Sequence, residues 1–340
     1  MLNGHGDDIQ ENVRINFSSN VYYGGIEPTL AAHLARSLHL IGRYPEVSAQ
    51  SLQEQIAGFH NLLPSQALVV NGAVEAIYLL AQAYNGAETT LFYPSFREYE
   101  DASTLNNHRI TYREAKLIGC GGKIESELVF ICNPNNPFGQ AIASETMFEL
   151  IKDNPQTVFI IDEAYGAFTH IQTTCVPFLQ EFKNLIIIKS LTKQFAIPGL
   201  RLGYILSSPG IIKKILSYKM PWSVNTLAME AGRFIFTHLL QQTMPPDYLL
   251  EETARLQRSI ASLEGFGVFP SDTSFFLCST EFGDALKLKQ FLLRNFGILI
   301  RDASNFRGLG ANHFRLSTQS HSDNLVLIEA LKQWTFQHSK

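Results

Sequence analysis

The chain has 340 residues, 45% hydrophobic and 17% charged, a globular composition long enough for two domains or one large α/β domain with an appendage. Its 27 Lys and Arg against 31 Asp and Glu leave a formal net charge of −4 with no basic run, which excludes a nucleic-acid groove. Apolar runs such as residues 185–188 fall far short of the ~20 residues that span a bilayer. The opening MLNGHGDDIQ lacks a signal-like apolar core, so a cytoplasmic protein with no membrane partner is expected.

In chain order, residues 67–70 read as a strand and 74–84 as a helix, then 90–93 as a strand and 97–105 as a helix. Further strands are expected at 127–132, 157–161, 185–188 and 202–205. Runs such as LVFI, VFII and LIII are apolar throughout, the pattern of strands buried on both faces of a parallel sheet. The alternation of strands and helices predicts an α/β architecture. After about residue 208 the texture changes. Helices at 209–219, 227–240 and 248–263 precede strands at 274–278, 298–301 and 313–317, with helices at 285–295 and 323–337. This predicts a smaller α+β lobe. The first forty residues show no sheet-like run and are expected to pack on that lobe. Cys120, Cys132, Cys175 and Cys278 form no CxxC pair and no zinc spacing, which predicts buried reduced thiols and no metal.

Four segments carry chemistry. In SLTKQFAIPGLRLGY (190–204), Lys193 lies just past an apolar strand, placed to reach a cleft at the sheet's carboxyl edge, with Ser190 and Arg201 beside it as phosphate donors. A desolvated lysine suits Schiff-base chemistry; taken alone, a surface loop lysine explains the segment better. In FIIDEAY (159–165), Asp162 ends a buried strand, where a carboxylate is costly unless a cation meets it. A helix-capping Asp is the other reading. CNPNNPFG (132–139) makes a rigid turn able to aim an amide at a ligand, or a plain loop. In VNGAVEA (70–76), Gly72 permits close backbone approach, and the N–H groups of Ala73 and Val74 could face an anion at a helix N-terminus.

The order and combination of these segments resemble the fold-type I, pyridoxal-phosphate-dependent enzymes of the aminotransferase class I/II superfamily, from Asn16 to the last helix. The resemblance implies a large domain at 41–239, with a mostly parallel sheet between helices. A smaller α+β domain would combine 1–40 and 240–340. It implies that Lys193 carries the cofactor as an aldimine and that Asp162 pairs with the pyridine nitrogen. Asn136 and Tyr165 would bond the ring's 3-oxygen, and Phe96 would stack on the ring. Ser190, Arg201 and the backbone at Gly72, Ala73 and Val74 would hold the phosphate. Tyr44, in RYPE, would reach the cofactor phosphate of a neighbouring subunit, which implies a homodimer.

Within the superfamily the chain resembles threonine-phosphate decarboxylases of cobalamin synthesis and histidinol-phosphate aminotransferases. The HG at 5–6, NFSSN at 16–20, the lysine segment, MPWSVN at 220–225 and IRD at 300–302 lean towards the decarboxylases. Tyr165, where some decarboxylases carry Phe, leans the other way. Phe138 stands for the usual Thr of the NPxG turn, which implies changed packing more than changed chemistry. Arg315 is expected on the substrate carboxylate and Arg301 on its phosphate, with His5, Gly6 and Asn20 closing the other side and Asn136 serving both ligands. The expected reaction is decarboxylation of O-phospho-L-threonine to aminopropanol phosphate; the alternative is transamination of histidinol phosphate or a related amino acid.

Overall fold

The apolar runs LVFIC, VFIID and LIIIKS become the centre of a seven-stranded sheet in a computed structural model that describes residues 13–120, 123–240 and 246–338. The chain begins with β1 (Ile15–Asn16), α1 (Pro28–Arg36) and α2 (Gln50–Phe59). It continues through β2 (Ala67–Val70), α3 (Gly72–Ala83), β3 (Glu88–Tyr93), α4 (Glu98–Leu105) and β4 (Arg109–Glu114). Then come β5 (Leu128–Cys132), α5 (Ser144–Lys152), β6 (Val158–Asp162), β7 (Leu185–Ser190) and β8 (Gly203–Ser207). The sheet order is β2-β8-β7-β6-β5-β3-β4. Neighbours are parallel except β8, which runs antiparallel to both β2 and β7.

Side chains alternate across this sheet with the two-residue period of a strand. Phe159 and Ile161 join one buried cluster with Leu52 and Ile56 of α2, while Ile160 joins another with Ala76 and Ile77 of α3. The Glu27 carboxylate accepts from the Leu30 N–H at 2.8 Å just before α1, which opens on Pro28.

The remaining helices are α6 (Pro209–Leu216), α7 (Thr226–Phe234, continued by a π turn at Ile235–Leu239), α8 (Pro246–Ala261), α9 (Ala285–Phe296) and α10 (His321–His338). Between them lie β9 (Phe266–Val268), β10 (Phe275–Thr280), β11 (Ile298–Leu299), β12 (Arg301–Asp302) and β13 (His313–Ser317). A four-stranded sheet, β12-β13-β10-β9, carries its own buried cluster, which includes Phe276, Phe314 and Trp334.

Several expectations are corrected. The first forty residues do contain a strand: β1 pairs in parallel with β11 through Ile15 and Ile298. Two residues are too short for a period to show. Ile15 and Phe17 pack in the small lobe's cluster as expected, but Leu30 packs with the large sheet. The strand expected at 298–301 breaks at Ile300 into β11 and β12, which join different sheets. The edge strand β4 and helices α1, α2 and α5 were not among the expected elements. Three cysteines are buried free thiols, and Cys120 is exposed.

Behind the sheet's carboxyl edge lies a buried ion pair. The Glu163 side chain is 0% exposed; Lys189 Nζ lies 2.5 Å from its Oε2 and the Cys175 N–H donates to its Oε1 at 2.7 Å. His60 Nε2 sits 3.0 Å from the Tyr204 hydroxyl. Burial, helped by the Lys189 charge, pushes His60 down from 6.5 to about 4. The unfolded chain therefore takes up a proton at pH values where the folded chain refuses it. Stability should fall as pH drops from about 6.5 towards 4. Urea unfolding at pH 7 and pH 5 should show a smaller loss in His60→Gln than in the parent; equal losses would contradict this.

Candidate active site

The parallel register brings the carboxyl ends of β2, β3, β5, β6 and β7, and the amino end of β8, to one edge of the large sheet. A cleft of ≈ 250 Å³ opens there. From the large sheet it is lined by Phe96, Asn136, Tyr165 and Lys193. The small lobe and the N-terminal segment contribute Asn20, Arg301 and Arg315. Seven residues singled out from sequence, scattered over nearly 300 positions, thus line one cavity.

Asp162 is the last residue of β6 and 4% exposed. Burial pushes its carboxyl up, against two donors that hold it down. The Tyr99 hydroxyl donates to Oδ2 at 2.7 Å, and the Ala164 N–H donates to Oδ1 at 3.0 Å. A cation next to this carboxylate would offset its desolvation. Tyr165 is buried, which raises its phenol to about 12 and keeps it a neutral donor at pH 7. Cys132, also buried near Asp162, is pushed up to about 12 and stays a thiol.

Gly72 opens α3 with φ +81°, a conformation that disfavours a side chain. A Cβ there would lie 2.5 Å from Arg201 Nη2, so the guanidinium sits directly against the helix N-terminus. Arg201 itself is left-handed, φ 57°, and its Nη1 donates to the Pro198 carbonyl at 3.1 Å. Gly203 lies 3.1 Å, measured from an added Cβ, from the Ala73 nitrogen. The Ser190 hydroxyl is 2.8 Å from that of Thr192. Gly72, Ala73, Ser190 and Arg201 therefore converge at the N-terminus of α3, whose free N–H groups favour an anion. Val74 follows in the first turn.

Arg301 and Arg315 are directly opposite one another on the antiparallel pair β12 and β13. Both are buried, at 8% and 5% exposure. Like charges opposite one another across strands repel, which favours an anion beside this pair. Burial and the Arg301 charge press Arg315 down to about 10. Arg315 Nη1 donates to Asn136 Oδ1 at 2.5 Å and Nη2 to the Ser18 carbonyl at 2.6 Å, both neutral acceptors. Its Nε, and both amide atoms of Asn20, are buried without a hydrogen-bond partner among the described residues. Arg301 Nη2 donates to Asn305 Oδ1 at 2.8 Å.

Other placements differ. Tyr44 is 87% exposed, packs its ring 5.5 Å from that of Trp222, and does not line this cleft. Phe138 packs edge-on against Phe269, in keeping with a packing role. His5 and Gly6 lie outside the described residues. Sequence reasoning missed Tyr99, Arg97 and the Ser18 carbonyl. Tyr99 had a signal, since it follows Phe96 by three residues and so shares its side of a helical turn.

The model of the family described as aminotransferase class I and II matches residues 12–331. The chain belongs to this family. It is similar in structure to the L-threonine-O-3-phosphate decarboxylase from Porphyromonas gingivalis (TM-score 0.92, 34% identity, 95% of this chain and 99% of that one). It is 29% identical to the threonine-phosphate decarboxylase of Salmonella typhimurium, over 96% of this chain and 95% of the relative. It is also 32% identical to the histidinol-phosphate aminotransferase of Caldanaerobacter subterraneus subsp. tengcongensis, over 88% and 86%.

As a member of the aminotransferase class I and II family, the chain is a pyridoxal-phosphate-dependent enzyme. The residues present fit that cofactor. The cradle at Gly72 and Arg201 suits a phosphate, the high Asp162 carboxyl suits a ring N–H, and the neutral Tyr165 phenol suits an anionic ring oxygen. Gly72→Ala should therefore displace Arg201 and force a side chain into positive φ, at about 1–2 kcal/mol. Equilibrium dialysis should show roughly tenfold weaker retention of pyridoxal phosphate; unchanged retention would remove Gly72 from the cradle.

Proposed function

We propose that the chain is a carboxy-lyase that converts O-phospho-L-threonine to aminopropanol phosphate, a reaction of cobalamin synthesis. The cross-strand pair Arg301 and Arg315 carries the reading. Two buried guanidiniums facing one small cleft match a ligand with two separate anionic groups. O-phosphothreonine has a carboxylate and a phosphate; histidinol phosphate has only the phosphate.

When bound, pyridoxal phosphate supplies the sink for the electron pair left on the substrate α-carbon. Asp162 would hold a proton at the ring nitrogen, Asn136 and Tyr165 would bond the ring oxygen, and Phe96 would cover a ring face. Arg315 takes the carboxylate and Arg301 the phosphate, with Asn20 offering its unpartnered amide between them. The bond from the α-carbon to the carboxylate breaks, and carbon dioxide leaves. Lys193 then delivers a proton to the α-carbon.

We also propose a homodimer. A groove of ≈ 520 Å³ runs along Ile41, Tyr44, Trp222 and Leu227, with Met220 and Tyr44 exposed nearby. Such a contiguous apolar surface suits a second copy, whose cofactor phosphate Tyr44 would reach. Light scattering should give a dimer mass, and Tyr44→Phe should loosen pyridoxal phosphate without unfolding the subunit.

A second reading, transamination of histidinol phosphate, draws on Tyr165 and on the 32% identical aminotransferase. The assay separates the two. Incubation with O-phosphothreonine should release carbon dioxide with no keto-acid co-substrate, and Lys193→Ala should abolish it. Arg315→Ala should weaken O-phosphothreonine by about 1.5–3 kcal/mol, roughly ten- to a hundredfold. Silence there, with conversion of histidinol phosphate when 2-oxoglutarate is added, would replace the lyase by the transferase.

A further inference from the structure

A third guanidinium lines the same cleft. Arg97 sits immediately before α4, with one nitrogen committed: its Nε donates to Asp101 Oδ1 at 3.1 Å. Among the described residues its two Nη groups have no hydrogen-bond partner, and its side chain is 36% exposed. Glu100, the nearby acid that could also have held it, is engaged by Arg307, whose Nη2 lies 2.7 Å from its Oε1. A cation before a helix N-terminus stands at the positive end of the helix dipole, where acidic groups are favoured. Asp101, with a side chain only 10% exposed, offsets that through the Nε alone and leaves the outer edge of the guanidinium open. An open Nη pair is the geometry that takes two oxygens of one phosphate.

The charge count points the same way. A phosphate monoester is close to a dianion at pH 7, so a phosphorylated amino acid brings a charge near −3 besides its amine. Arg315 and Arg301 match two of these charges. Arg97 supplies the third.

We propose that Arg97 is a specificity-determining residue that binds the substrate phosphate together with Arg301, selecting the phosphorylated substrate over its free hydroxyl counterpart. This rests on the reading of the substrate as a phosphorylated amino compound.

The test is equilibrium titration of the holoenzyme, followed by cofactor absorbance, with O-phosphothreonine, threonine and histidinol phosphate. The proteins are the parent, Arg97→Gln and Asp101→Asn. Arg97→Gln should weaken both phosphorylated compounds roughly ten- to a hundredfold and change threonine by less than about twofold. Asp101→Asn, which frees Arg97, should leave the phosphorylated compounds bound at least as well. If Arg97→Gln weakens all three ligands alike, or if Asp101→Asn reproduces its loss, Arg97 is half of a structural ion pair and the proposal is overturned. If the parent binds the phosphorylated compounds and Arg97→Gln does too, Arg97 is overturned while the substrate reading stands. If the parent does not prefer phosphorylated compounds to threonine, the substrate reading falls and takes Arg97 with it.

Discussion

The active site depends on one constraint, the common direction of β3, β5, β6 and β7. Parallel strands deliver their carboxyl ends to the same edge, and the register sets Cys132, Asp162 and Ile188 level across three of them. Each strand then needs only a short turn to bring one residue to the cleft: Phe96, Asn136, Tyr165 and Lys193. The antiparallel β8 enters from that edge, which is why Arg201 and Gly203 sit beside the start of α3 instead of at the far side. An α/β sheet with helices on both faces leaves this edge as the place where chain termini and ligands can meet.

Burial sets the electrostatics at that edge. The Asp162 carboxyl is buried enough to be pushed up, and two donors offset only part of its desolvation. The cross-strand arginines repel one another, and Arg315 donates to amide and carbonyl oxygens that carry no charge. A buried carboxylate stands on one wall and two buried arginines stand on the other. Such arrangements lower stability and are tolerated where a ligand completes them. The Glu163–Lys189 pair behind the sheet is the contrast, since every charge there already has its partner.

The N-terminal segment ties the two lobes to the site. β1 adds to β11, the Ser317 N–H donates to the Phe17 carbonyl at 2.9 Å, and the Ser18 carbonyl receives Arg315. A few residues on, the Tyr22 N–H donates to the Lys193 carbonyl at 3.0 Å. One stretch of backbone therefore holds both Arg315 and the Lys193 loop.

The sequence by itself determined the alternating architecture and the central strands, and its motifs singled out Lys193, Asp162, Asn136, Arg301 and Arg315 as candidates through a family resemblance. Strands buried on both faces are uniformly apolar, and charged residues at their ends stand out against that background. The short strands β1, β11 and β12 could not be read, because two residues carry no period and their pairing is decided by partners far along the chain. Tyr99 and Arg97 were hidden in a helix start that looked ordinary. Only the folded chain shows that Tyr99 reaches Asp162 across sixty-three positions, and that Arg97 opens onto the cleft of Arg301 and Arg315. Contacts of that kind depend on how helices pack over a sheet edge, and local sequence does not encode that distance.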